Sequence, residues 1–111
     1  MILNFQELDR RLEKVLEVAA SMGFSYEIFS NQKINIIDNN VSFAEKRNIG
    51  VITLLGSGKL VVRVYGYRKR VTLKNRMGTN EITFTKNAKL PEVGSRTRAL
   101  FKKYVSVDKS L

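Results

Sequence analysis

Residues 60–74 read Leu-Val-Val-Arg-Val-Tyr-Gly-Tyr-Arg-Lys-Arg-Val-Thr-Leu-Lys. Side chains on a strand alternate between its two faces. Leu60, Val62 and Val64 therefore share one face, and Lys59, Val61, Arg63, Tyr65, Tyr67 and Lys69 share the other. Beyond Gly66 the apolar positions become Val71 and Leu73, so the inward parity switches. A bulge or bend at Gly66 accounts for that switch, since glycine tolerates such a backbone. Past the bend, Arg70, Thr72 and Lys74 point outward, which gathers Arg63, Tyr65, Tyr67, Arg68 and Arg70 on one outer surface.

Other short runs carry the same period. Phe24–Ser30, Lys33–Asp38, Val41–Arg47, Ile49–Leu55, Arg70–Asn75 and Glu81–Lys86 alternate or run apolar, separated by turn residues. Asp38-Asn39-Asn40, Gly56-Ser57-Gly58-Lys59 and Met77-Gly78-Thr79-Asn80 are the turn clusters. Gly56–Lys59 lacks the spacing of a phosphate-binding loop and reads as a hairpin turn. The spacing predicts an antiparallel sheet of about five to seven strands.

The flanks have a different period. Phe5, Leu8, Leu12, Val15, Leu16, Ala19 and Met22 recur at three- and four-residue steps, predicting an amphipathic helix over 4–22. Asn4 with Glu7 forms a capping box, Gly23 suits the left-handed position after the helix, and Phe24 folds back on its last turn. Asp9, Arg10, Glu13, Lys14 and Glu17 lie on the wet face. The C-terminal stretch predicts a second helix capped by Ser95, with Gly94 arguing against a helix unbroken from Pro91 and Pro91 separating sheet from helix. Leu100, Phe101 and Tyr104 are its packing residues, and Arg96, Arg98, Lys102 and Lys103 its wet ones. The expected fold is one α+β domain over 1–111: an antiparallel sheet flanked by an N-terminal amphipathic helix and a C-terminal helix.

Charge bears most on function. The 111 residues hold 20 Lys and Arg against 10 Asp and Glu, a net of +10. Residues 1–30 carry three basic and five acidic side chains, whereas 31–111 carry 17 and five. From Lys59 to Lys89 nine basic residues face one acidic residue, Glu81. Such a patch suits nucleic acid, an anionic membrane surface or an acidic protein. Lys46, Arg47, Lys86, Lys89, Arg96, Arg98, Lys102 and Lys103 form a second basic group.

Cysteine and histidine are absent, which removes disulfides, thiolate chemistry, nearly all structural zinc sites and the Ser-His and Cys-His nucleophile pairs. No acidic pair has metal-ligand or acid/base spacing, so no cofactor and no metal site is expected. The N-terminus lacks a secretory pattern and no apolar run approaches the roughly 20 residues of a membrane span, so a bacterial cytoplasmic or nucleoid location, including a phage-infected host, is expected, with no membrane partner. The sequon Asn40-Val41-Ser42 then reads as chance.

The expectation is a small non-enzymatic nucleic-acid-binding protein, DNA rather than RNA. Lys59, Arg63, Arg68, Lys69, Arg70, Lys74 and Arg76 would hold phosphates, and Tyr65 and Tyr67 would stack on bases or sugars. The bland alternative is an ordinary solvated strand. Two functional alternatives stand beside it: an inhibitor that docks on an acidic host protein, and a metal-independent ribonuclease using Glu45, Arg63, Tyr67 and Arg70. A sheet edge or the first helix could also mediate a homodimer.

Met22-Gly23-Phe24, Glu45-Lys46-Arg47, Gly50-Val51 and Arg63-Val64-Tyr65-Gly66-Tyr67-Arg68 resemble the C-terminal, DNA-binding domain of the MotA family of T4-type phage transcription activators. The resemblance covers roughly residues 8–68, with a gap between Phe24 and Glu45. Past Arg68 the family pattern continues into a helix, where this chain continues in strands. The resemblance implies a saddle-shaped sheet with wing-like strands that bind duplex DNA, and a phage regulatory factor.

Overall fold

A computed structural model describes residues 9–38, 48–65 and 80–104. Its elements are α1 (Arg10–Ser21), β1 (Ser25–Ile28), β2 (Lys33–Ile37), β3 (Asn48–Leu54), β4 (Leu60–Val64), β5 (Glu81–Phe84) and α2 (Leu90–Tyr104). The strands form one antiparallel sheet in the order β1-β2-β3-β4-β5. This is the expected α+β architecture, at the lower end of the expected strand number.

Alternation builds the core. Ile34 and Ile36 on β2, Ile52 and Leu54 on β3, Leu60, Val62 and Val64 on β4, and Phe84 on β5 all turn to one face and are buried. The helices cover that face with Leu12, Val15, Val18 and Ala19 from α1 and Val93, Leu100 and Phe101 from α2. The opposite face has no layer over it among the described residues. Ile49 is the extra residue of a bulge where Ile36 faces Gly50 and Ile37 faces Asn48, and it is fully buried. The bulge expected at Gly66 lies outside the described residues, as do the strands expected over 41–47 and 70–75.

Gly50 sits where β3 and β4 come closest. A Cβ there would lie 2.7 Å from the Arg63 carbonyl oxygen, a backbone atom that cannot swing aside. The β3–β4 hairpin turns at the expected place, with Leu55 N donating to Lys59 O at 2.9 Å and Gly58 N donating to Leu55 O at 2.9 Å.

The first helix starts later than the sequence suggests. Its N-cap is Asp9, in extended conformation (φ −122°, ψ 107°), so no helix passes through it. Asp9 Oδ1 accepts from Arg11 N at 3.0 Å and Leu12 N at 3.4 Å, satisfying two donors of the first turn. The same carboxylate holds the Arg11 guanidinium, with Nη2 to Oδ2 at 2.8 Å and Nε to Oδ1 at 3.2 Å. Arg11 is 8% exposed, and its Nη1 donates to Phe84 O at 3.0 Å, tying the start of α1 to the end of β5. Asp9 therefore caps α1 and is not one of its wet-face residues. The expected cap Asn4 and its partner Glu7 lie outside the described residues.

The end of α1 is as expected. Gly23 has φ +90°, its N donates to Ala20 O and Phe24 N donates to Ala19 O, each at 3.0 Å. These paired bonds close the helix with the residue that bears a left-handed backbone most cheaply. Phe24 then meets Phe101 edge-on, ring centroids 5.8 Å apart, pinning α2 to the chain leaving α1.

Two expectations for α2 are overturned. The helix runs unbroken from Leu90 through Gly94, and Ser95 is not its cap. Pro91 lies inside the first turn, where the N–H it lacks has no intrahelical acceptor. Gly94 is a contact position rather than a break: a Cβ there would lie 3.2 Å from Lys14 Cδ of α1. Ser95 Oγ donates to Glu92 O at 3.3 Å, a helix-interior bond. Among the described residues no helix is long and apolar enough to cross a membrane.

Two predictions follow from these contacts. Gly50→Ala should destabilise the fold by about 2 kcal/mol, measured by urea unfolding, because the added methyl meets backbone. Burial raises the pKa of Asp9, but hydrogen bonds and charge from Arg11, with the Leu12 and Arg11 N–H groups, outweigh it and hold the value below the ordinary 3.8. A depressed carboxylate stabilises the fold above its unfolded pKa and loses that contribution as pH falls through the folded one. The stability advantage of the native chain over Asp9→Asn should therefore be largest at neutral pH and shrink on acidification to about pH 3.

Candidate nucleic-acid interface

The uncovered face of the sheet is built from the residues between the core positions. The strand register aligns Glu27, Asn35, Val51, Arg63 and Glu81 in one row across all five strands. A second row runs Lys33, Thr53, Val61 and Thr83. Between them lies a shallow open trough of about 530 Å³, with Phe29 and Leu55 towards the hairpin end and Asn48 and Tyr65 at the other. Its floor is mixed, with valine and threonine between amide, basic and acidic groups.

Arg63 is the expected basic residue nearest the centre, and it is already paired. Its Nη2 and Nε approach Glu81 Oε1 at 2.7 and 3.0 Å, directly across β4 and β5. Both side chains keep about a third of their surface in solvent, 36% and 28%, so water screens the pair and its stabilising effect is small. Glu81 also offsets the positive charge of Arg63 at the centre of the described face.

Tyr65 follows β4 at the rim of the trough, and its N donates to Ile49 O at 2.7 Å. Half-burial pushes the phenol pKa above its ordinary 10.0, against the opposing charge of Arg63. The ring is thus a neutral hydrogen-bonding disc beside a guanidinium. Lys59 stands exposed at the opposite end of β4. Lys86 lies across Gly58, so it belongs to that same end.

Of the nine expected binding residues, Lys59, Arg63 and Tyr65 fall on β4 and its two flanks. Tyr67, Arg68, Lys69, Arg70, Lys74 and Arg76 lie outside the described residues. The ends of the segment that carries them are placed, however. Val64 N donates to Asn80 O at 3.0 Å and Asn80 Nδ2 donates to Val64 O at 2.7 Å, so residues 66–79 leave and rejoin the sheet at one end. Residues 39–47 leave after Asp38 and rejoin at Asn48, which follows Ile37 across the β2–β3 pair at that same end. By sequence, 66–79 holds five basic and no acidic residues, and 39–47 holds Lys46 and Arg47 against Glu45.

The second basic group does not form one patch. Arg96 lies over the Phe84 ring at 5.4 Å, and Arg98 Nη2 donates to Ser21 Oγ at 3.3 Å. Lys102 and Lys103 close α2, whose Phe101 meets Phe24 beside the start of β1, so they sit at the end where 39–47 and 66–79 attach. Lys86 sits at the other end.

The sequence reading missed Lys33, Asn35, Asn48 and Phe29 as residues of the open face. Lys33 and Asn35 were legible, since they alternate with Ile34 and Ile36. Asn48 was not, because the bulge shifts its register. Among the described residues no group of three or more acidic side chains is placed to hold a metal ion. No family model, curated protein or solved structure matches the chain.

Proposed function

We propose that the chain is a small, non-enzymatic nucleic-acid-binding protein, with DNA as its ligand and the uncovered sheet face and its basic end as the contact surface. One observation carries the reading. The open face presents Tyr65 beside Arg63, and from Tyr65 the chain passes straight into a segment with five basic and no acidic residues.

The chemistry divides between two places. Lys and Arg of 66–79, with Lys46, Arg47 and Lys102, would neutralise phosphates and release counterions. Tyr65 offers a flat neutral ring on which an unpaired base stacks, and Asn35 and Asn48 offer amides to base edges. An open sheet face with such a ring suits a single strand. The likeness of Arg63–Arg68 to the MotA family favours a duplex, with the basic connections as the docking elements. The same experiment separates the two.

Binding to labelled single-stranded DNA, duplex DNA and RNA should be measured by fluorescence anisotropy across a salt series. The expected result is DNA binding that weakens steeply with salt. Tyr65→Ala should weaken single-strand binding by roughly 1–3 kcal/mol if a base stacks there, and leave duplex binding nearly unchanged. Glu81→Gln should tighten binding a few-fold by freeing Arg63, whereas Arg63→Ala should cost less than Arg70→Ala. Absence of binding at physiological salt would overturn the proposal.

A further inference from the structure

We infer that the outer edge of β1 is a self-association seam, where two copies pair antiparallel through Ser25–Ile28 and join their sheets. The inference does not rest on the nucleic-acid reading.

Strand β1 ends the sheet, so one side of it has no neighbour among the described strands. Phe29 N donates to Lys33 O, which sets the bonding phase of the β1–β2 pair. Ser25 and Glu27 then spend their backbone groups on β2, and Tyr26 and Ile28 aim theirs outward. The side chains of Tyr26 and Ile28 lie on the helix side but beyond its cover, 51% and 64% exposed, and Phe29 next to them is 70% exposed. Edges are usually blunted by lysine, proline, a bulge or a covering element. The segment Ser-Tyr-Glu-Ile holds no lysine, proline or bulge, no described element pairs with its outer side, and its one charge is Glu27.

Charge selects the occupant. In a chain of net +10, residues 15–32 contain no lysine or arginine, and Glu17 and Glu27 are their only charges. By sequence, this stretch brings no positive charge of its own to a second copy. The antiparallel arrangement also sets the Asp38 and Asn48 ends of the two sheets at opposite extremes of the pair.

The register follows from the donors. Phe24 N is spent on Ala19 O and Ser30 N on Lys33 O, so a symmetric seam that uses every free edge group pairs Tyr26 of one copy with Ile28 of the other, twice. The two-fold axis then passes at Glu27, and two glutamates face each other across a non-bonded pair. Like charges there oppose association, which makes Glu27 the element that keeps the seam weak and reversible.

The test uses the full chain in sedimentation velocity, from dilute to about 100 μM. Association to twice 12.7 kDa is expected, with Ile28→Lys weakening it at least tenfold and Glu27→Gln tightening it about threefold. Ile28 is exposed, so its variant keeps the fold, which circular dichroism confirms. The chain has no cysteine, so Glu27→Cys introduces a single thiol at the axis. Facing non-bonded residues have Cα atoms about 4.5 Å apart, within disulfide range, so mild oxidation should link two chains. Ser57→Cys, at the exposed hairpin tip, should not link. A monomer throughout the concentration range, a neutral Ile28→Lys, or a Glu27→Cys that links no faster than Ser57→Cys would overturn the inference.

Discussion

Among the described residues the five-stranded sheet is covered on one face and has a single dry side, and that constraint organises the described fold. Each strand contributes every second residue to the core and the rest to solvent. The apolar set Ile34, Ile36, Ile52, Val62, Val64 and Phe84 must therefore be matched by apolar stripes on both helices. α1 and α2 meet this demand together and run in the same direction. Asp9, Arg11 and Phe84 O fix where α1 begins, while Phe24 against Phe101 ties the chain leaving α1 to the last turns of α2. Between these anchors Gly94 lets α2 approach Lys14 closely. The helices are thus held at both ends by polar and aromatic contacts and in the middle by apolar burial.

One-sided cover also distributes charge. A dry face admits no free charge, and Arg11 is buried only because Asp9 and a backbone carbonyl take its donors. The remaining basic residues must go to the open face, the helix exteriors or the connections. On the open face Arg63 is met by Glu81, and Lys33 is the other basic residue lining the trough among the described residues. By sequence, 66–79 alone holds five of the chain's basic residues and no acidic one.

Much of the fold was legible because its signals are local. Period two places Leu60, Val62 and Val64 inside and Arg63 and Tyr65 outside without any partner strand. Gly23 marks a helix end because its requirement for positive φ is met within the helix's own last turn. The misreadings share another origin. Asn4 and Asp9 are both good caps, and the apolar phase of Phe5 and Leu8 favours the earlier one. Asp9 caps α1 because it also binds Arg11, whose position depends on β5, 73 residues away. Gly94 looks like a break until α1 is laid against it. Tyr26 and Ile28 have core parity, and only the lateral reach of the helices leaves them exposed. Arg63 looks like a free cation until the β4–β5 register sets Glu81 opposite.

That last pairing shapes the proposed function. A face that binds nucleic acid mainly by charge would keep its central arginine unpaired. Here Glu81 offsets Arg63 on the described face, and by sequence most of the net positive charge belongs to the segments that follow Asp38 and Tyr65. In the proposed function, long-range attraction to phosphate would come from the basic residues of the connections, and the sheet would meet the ligand by ring contact and amide hydrogen bonds at short range. Salt screens the first contribution strongly and the second weakly. The Arg63–Glu81 pair sits between them: its guanidinium is oriented by the carboxylate, and a phosphate that displaces Glu81 replaces one charge-assisted contact with another. The net gain from that exchange would be small, so under the proposed function the pair would favour ligands that add a stacking partner for Tyr65 over those that offer phosphate alone.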